Sequence, residues 1–169
     1  VDADGVRVNS HFFGQSSFAS HSVVAETSCV KIDPSYDLRK LGPLGCGIQT
    51  GAGAILNTLQ VEPGSSVVIA GAGALGLSAV MAAKVAGAGT IVAIDRHANR
   101  LELAERYGAT VTLSPSPDQL AAAIHAATGG GADYAFDTTG NSSVVRGLYE
   151  GLNNIGTLGM AGVGFGEVT

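Results

Sequence analysis

The feature that most limits what this chain can fold into is a run of six residues, Gly71-Ala72-Gly73-Ala74-Leu75-Gly76. It follows Ser66 to Ala70, which is apolar after its first residue, as strands buried on both faces of a sheet are. It opens Leu75 to Ala86, a helical stretch closed by Gly87 and Gly89. A chain with 25 glycines produces G-x-G-x-x-G by chance, so the pattern has meaning only through this strand–loop–helix setting. In that setting each glycine has its own task. Gly71 permits a tight turn, Gly73 lets the backbone approach a pyrophosphate with no Cβ in the way, and Gly76 lets the helix lie close to the strand. The first helical turn, with Ala74 and Leu75, offers free N–H groups and partial positive charge to phosphates.

Thr90 to Ile94 repeats the strand pattern and ends at Asp95, 19 residues after Gly76. A carboxylate there accepts hydrogen bonds from adenosine ribose hydroxyls and repels a 2′-phosphate, which favours NAD over NADP. The plainer alternative is that Asp95 caps the next helix. Arg96 and Arg100 work the other way: an arginine beside the ribose accommodates a 2′-phosphate, although either could belong to a solvated helix face.

The rest of the chain continues the alternation. Thr50 to Leu59 has Ala52, Ile55, Leu56 and Leu59 on one helical face. Ala98 to Tyr107 and Pro117 to Ala127 read as helices, and Asn141 and Ser142 as N-cap residues of a helix through Leu152. Val111 to Leu113, Tyr134 to Phe136 and Gly156 to Met160 read as the third to fifth strands. These repeats predict an α/β chain with a doubly wound parallel sheet of Rossmann type, holding five of the usual six strands. Ligands of such sheets bind outside the carboxyl ends of the strands. Thr138-Thr139-Gly140 and Ala161-Gly162-Val163 follow the fourth and fifth strands, so each lines the cofactor's nicotinamide half or is simply a turn. Upstream, Phe18 to Val24 and Ser28 to Ile32 read as strands, and the pattern changes at Leu41 to Gly47, which divides the chain into residues 1–47 and 48–169.

Composition narrows the function classes. Apolar residues are 46% and charged residues 14%, which excludes disorder for most of the chain. A net charge of −5 argues against a nucleic-acid or anionic-membrane surface. There is no 18-residue apolar run for a membrane span and no charged-then-apolar leader. Two cysteines make no disulfide scaffold, and their usage fits a reducing, cytoplasmic compartment. Cys29 reads as core. Cys46, between two glycines, reads as a buried apolar thiol or, less simply, as an exposed ligand. His11, His21, His97 and His125 have no metal spacing and read as surface or core-edge residues. Neither a nucleophile elbow nor a Walker A lysine is present, which excludes hydrolase and P-loop readings.

Three segments carry a family resemblance: Phe13-Gly14-Gln15-Ser16-Ser17-Phe18-Ala19 with Val30-Lys31-Ile32-Asp33, then Leu44-Gly45-Cys46-Gly47-Ile48-Gln49-Thr50-Gly51, then Gly64 to Gly76 with Ile94-Asp95 and Leu103 to Ala109. Together they resemble zinc-dependent medium-chain alcohol dehydrogenases across essentially the whole chain. His11-Phe12-Phe13-Gly14-Gln15-Ser16-Ser17 and Ile48-Gln49-Thr50-Gly51 are similar to the aryl, or benzyl, alcohol branch. The resemblance implies that Cys46 is the third ligand of a catalytic zinc and that Thr50 lies beside the nicotinamide. It implies cofactor-binding positions at Gly71, Gly73, Gly76, Asp95 and Arg100, with Thr139, Gly140, Ala161 and Val163 at the nicotinamide end. It further implies an NAD-dependent oxidation of a primary, aromatic alcohol to its aldehyde, with zinc as Lewis acid, in a homo-oligomeric parent protein.

The family's other two zinc ligands, its proton relay and its structural-zinc lobe have no match here, nor has the sixth strand. The chain begins at Val1. It therefore reads as a central fragment: residues 1–47 end a GroES-like catalytic domain, and residues 48–169 form a truncated cofactor domain. The fragment is expected to bind cofactor, to lack turnover, and to expose apolar surface. The competing readings are a non-catalytic NAD(P)-binding module and a zinc-free medium-chain reductase; a methyltransferase is disfavoured by the glycine loop and Asp95.

Overall fold

The computed structural model describes residues 4–6 and 20–164. The chain divides into two compact units, Val1–Leu38 and Arg39–Thr169. In the first, the described residues form a single 3-10 turn at Glu26–Ser28 and no strand. The strands expected at Phe18 to Val24 and Ser28 to Ile32 are therefore not found, with Phe18 and Ala19 outside the described residues. The physical reason is the lack of a partner. A strand needs a neighbour for its N–H and C=O groups, no described strand pairs with this segment, and Val23 and Val30 are 95% and 84% exposed. Cys29 is likewise exposed rather than core.

The second unit is an α/β layer structure. Its elements are α1 (Gly47–Gly53), β1 (Ser66–Ala70), α2 (Ala74–Ala86), β2 (Thr90–Ile94), α3 (Ala98–Tyr107), β3 (Val111–Leu113), α4 (Leu120–Thr128), β4 (Ala132–Asp137), α5 (Ser142–Glu150) and β5 (Leu152–Met160). The five strands are parallel in the order β3-β2-β1-β4-β5. Chain order reverses at β1, so the loops after β1 and β4 open a crevice at the carboxyl end of the sheet, where such folds bind ligands.

β1 and β2 are apolar after their first residues because both of their faces are covered. Val67, Ile69, Ile91 and Ala93 point to one side with Ala79, Val80 and Ala83 of α2 and Ala104 of α3. Val68, Ala70, Val92 and Ile94 point to the other, against Leu120 and Ile124 of α4 and Leu148 of α5. Alternate residues thus serve alternate cores, which is the pleat of a strand read directly from its neighbours. Helix α1 continues as a π turn over Ala54–Thr58, with Leu59 N–H bonded to Ala54 O at 2.8 Å. Ile55 and Leu59 are buried as their spacing predicts, but Leu56 is 42% exposed. The 3.6-residue period on which that face rests does not hold past Ala54.

Candidate functional site

Gly71 leaves β1 with a φ of +91°, a conformation that favours glycine. Its amide donates to Ile94 O of β2 at 2.7 Å. A Cβ at Gly76 would strike the Gly71 carbonyl oxygen, so helix α2 lies against the loop more closely than any side chain allows. Gly73 differs: a Cβ there would meet no atom of the described residues within 4 Å. The fold itself does not require glycine at 73, whereas a ligand approaching that backbone would. No side chain caps the N-terminus of α2, which leaves its first amides for water or a ligand.

Asp95, 8% exposed, sits at the carboxyl end of β2 and ties this loop to the next. Its Oδ2 accepts from Ala72 N–H at 2.8 Å and its Oδ1 from His97 N–H at 2.9 Å. Arg100 Nη1 approaches Oδ2 at 3.6 Å. Burial acts to raise the Asp95 pKa, but the His97 and Ala72 amides and the nearby charges of Arg100 and His97 outweigh it and hold the carboxyl below its ordinary range. The capping alternative does not describe this geometry, because His97 is the N-cap residue of α3 and Asp95 bonds to that residue rather than to the helical turn.

A cavity of about 610 Å³ opens over the loop, a size ordinary for cofactor sites. It brings together Gly71, Gly73, Asp95, Arg96, Arg100, Thr138 and Thr139 from four different loops or elements. Thr138 reaches across from β4: its Oγ1 donates to Ala70 O at 2.8 Å, fastening the ends of β1 and β4 together. Arg96 is exposed and its Nε donates to His97 Nε2 at 3.3 Å. A second cavity, about 570 Å³, holds Thr50 of α1 with Ala161. Gly140 packs against Val163 and Gly162 beside it. Ala74 and Leu75 open α2 without lining either cavity.

Three further residues matter here that the sequence reading does not place at the site. His97 lines the first cavity, as does Asn141, which caps α5 by accepting from the amides of Ser143 and Val144. Asp137, fully buried, anchors Thr139 and Gly140. Asp95 and Asp137 both stand at strand ends and each accept the amide two residues on, the mark of an Asx turn, but in the sequence that position is shared with any turn aspartate.

Cys46 is exposed and free, so the buried-thiol alternative does not hold. No group of three His, Cys, Asp or Glu able to hold a metal occurs among the described residues. A catalytic zinc takes three protein ligands. The described residues do not make up such a site. His11 lies outside them; His21, His97 and His125 are exposed. No helix among the described residues is long and apolar enough to cross a membrane.

Sheet order, glycine loop and strand-end carboxylate define a Rossmann-like α/β protein. Comparison with known proteins narrows this. The family model described as zinc-binding dehydrogenase matches residues 74–169. The chain is 47% identical over 164 residues to the geraniol dehydrogenase of Castellaniella defragrans, covering 96% of this chain and 44% of that protein. Alcohol dehydrogenase class-3 of Myxine glutinosa is 42% identical over 142 residues, which is 83% of this chain and 38% of that protein. Among solved structures, benzyl alcohol dehydrogenase from Acinetobacter calcoaceticus superposes with a TM-score of 0.86 at 44% identity, over 96% of this chain and 46% of that one. This chain belongs to the zinc-binding dehydrogenase family, and it spans less than half the length of these relatives.

Proposed function

We propose that this chain is the cofactor-binding part of an NAD-dependent zinc alcohol dehydrogenase that oxidises a primary, aromatic alcohol to its aldehyde. The observation that carries the reading is the pairing of Gly73, whose Cβ position meets none of the described residues, with Asp95 across one cavity. Backbone at Gly73 would approach the pyrophosphate. Asp95 has two further acceptor positions beyond its amide bonds, and these would take the adenosine ribose hydroxyls. Arg100 neutralises part of that carboxylate's charge, so discrimination against a 2′-phosphate would rest on the hydroxyl bonds as well as on repulsion. Thr50, Thr138, Thr139, Gly140, Ala161, Gly162 and Val163 would surround the nicotinamide half. A bound nicotinamide supplies the hydride acceptor; the residues described here orient it.

The aromatic substrate is supported by the name of the Acinetobacter relative, with geraniol dehydrogenase marking a non-aromatic neighbour. Cys46 would be one zinc ligand. Since its companions are not among the described residues, no metal-assisted step is assigned to this chain, which would bind cofactor without turning over alcohol. In this reading residues 1–47 end the catalytic domain, residues 48–169 form the cofactor domain, and the parent protein is a cytoplasmic homo-oligomer; these last points rest on the resemblance.

The test is a titration with NADH and NADPH, followed by reduced-nicotinamide fluorescence, which the chain's lack of tryptophan leaves clear. NADH binds more tightly. Asp95→Asn, which keeps an acceptor for one of the two amides, narrows the preference about tenfold, the worth of roughly one charged hydrogen bond. A folded protein that binds neither nucleotide, or an Asp95→Asn variant with an unchanged ratio, overturns the reading.

A further inference from the structure

Asp137 ends β4 with no exposed surface and lines neither cavity. Its side chain and its main chain hold different loops. Oδ1 accepts from Thr139 N–H at 3.1 Å and from Thr139 Oγ1 at 2.6 Å, and Oδ2 accepts from Gly140 N–H at 2.9 Å. The Asp137 carbonyl oxygen accepts from Ala161 N–H at 2.9 Å and Gly162 N–H at 3.3 Å. The carboxylate thus fixes the β4–α5 loop, and the peptide oxygen fixes the segment after β5.

The two loops interlock without side chains. A Cβ at Gly140 would lie 2.7 Å from the Val163 carbonyl, and one at Gly162 would lie 2.7 Å from Asp137 Oδ2. A buried carboxylate is unfavourable unless donors replace its water, and a well-packed apolar residue fills such a space at least as stably. The three donors aimed at this side chain therefore point to a task beyond filling space. The loops it joins face different cavities: Thr138 and Thr139 line the one over Gly73, and Ala161 lines the one that holds Thr50.

We infer that Asp137 is a positioning residue that holds these two loops as one unit and so sets the affinity for the nicotinamide half of a dinucleotide, without touching it. The inference rests on the cofactor reading above. Selectivity for that half follows from the bonding. Asp95 holds Ala72 and His97, Asp137 holds Thr139, Gly140, Ala161 and Gly162, and the two sets share no residue. Thr138, which donates to Ala70 O and Gly71 O, keeps the glycine loop tied to the end of β4 without use of the Asp137 carboxylate.

The experiment compares NADH with ADP-ribose, which has the adenosine and pyrophosphate but no nicotinamide, by calorimetric titration of the wild-type chain and of Asp137→Asn. In the variant the amide oxygen serves Thr139, while the amide N–H₂ opposes the Gly140 N–H. NADH affinity falls about tenfold and ADP-ribose affinity stays within about twofold, the pattern of one lost bond confined to one half of the ligand. Equal losses for both ligands, or no loss for either, overturn the positioning role while leaving the cofactor reading intact. A wild-type chain that binds neither ligand overturns both. Should Asp137→Asn fail to fold, Asp137→Ser, whose hydroxyl oxygen still accepts from one of these donors, takes its place, and the same selective loss is expected; its absence overturns the inference.

Discussion

Gly73 and Gly76 belong to one motif but answer to different demands. The Cβ position of Gly76 is already occupied by the Gly71 carbonyl oxygen, with the Gly71 carbonyl carbon 2.8 Å away. That of Gly73 faces open space. Gly76→Ala is therefore expected to lower stability by about 1–3 kcal/mol, as overpacking of rigid backbone does, a fall in Tm of several degrees. Gly73→Ala is expected to leave Tm nearly unchanged, because the extended backbone at 73 suits alanine, yet to weaken NADH binding. Thermal melts alongside titrations check the pair; a Gly73→Ala protein with normal NADH affinity would show that no ligand comes close to that backbone. At this scale the glycines and Asp95 were legible because motif spacing and strand ends locate them. Asp137 was not, since an aspartate after a strand reads as an ordinary turn residue until its donors are seen.

Elements were most legible where the physics is local. β1, β2, β3 and α3 have the bounds their apolar runs and glycine stops predict. β5 begins four residues earlier than Gly156, at Leu152, where the sequence predicts the helix still to run; the β4–β5 register shifts between Ala132 and Tyr134, and Asn153 and Asn154 lie in the strand. Asp133 is what holds the amino ends of three strands. It accepts from Ser66 N–H of β1 at 2.8 Å and from Asn153 Nδ2 of β5 at 2.6 Å. The Ser66 amide foremost, then its hydroxyl and the Asn153 amide, outweigh burial and keep the Asp133 carboxyl below its usual range, as donors do for Asp95. A carboxyl lowered on folding adds stability above its unfolded pKa, about 3.9, and that stability is lost as pH falls through the folded value. Tm is thus expected to be level above about pH 5 and to drop as the pH is taken below about 4. Asp133→Asn should be less stable at neutral pH and show a shallower acid drop. A wild-type Tm that stays level to pH 3 would contradict the assignment.

Among the described residues the sheet has two edges, β3 and β5, and they differ. β3 has three residues, too short a template for another chain. β5 has nine residues, Leu152–Met160, with no charge and no proline, and no described strand pairs with its outer side. Ile155 is 91% exposed there and Met160 61%. An unpaired edge of that length with apolar side chains is a template for edge-to-edge pairing, and charged residues are the usual means of blocking it. The net charge of −5 is not placed to help, because none of it lies on β5. Self-association that grows with protein concentration is therefore expected, visible by sedimentation velocity. Ile155→Lys should suppress it at little cost in Tm, since the side chain it replaces is almost wholly in water. Association unchanged by Ile155→Lys would move the contact off this edge and onto another exposed apolar site, such as Tyr149 of α5 or Val85 of α2, which are 69% and 80% exposed.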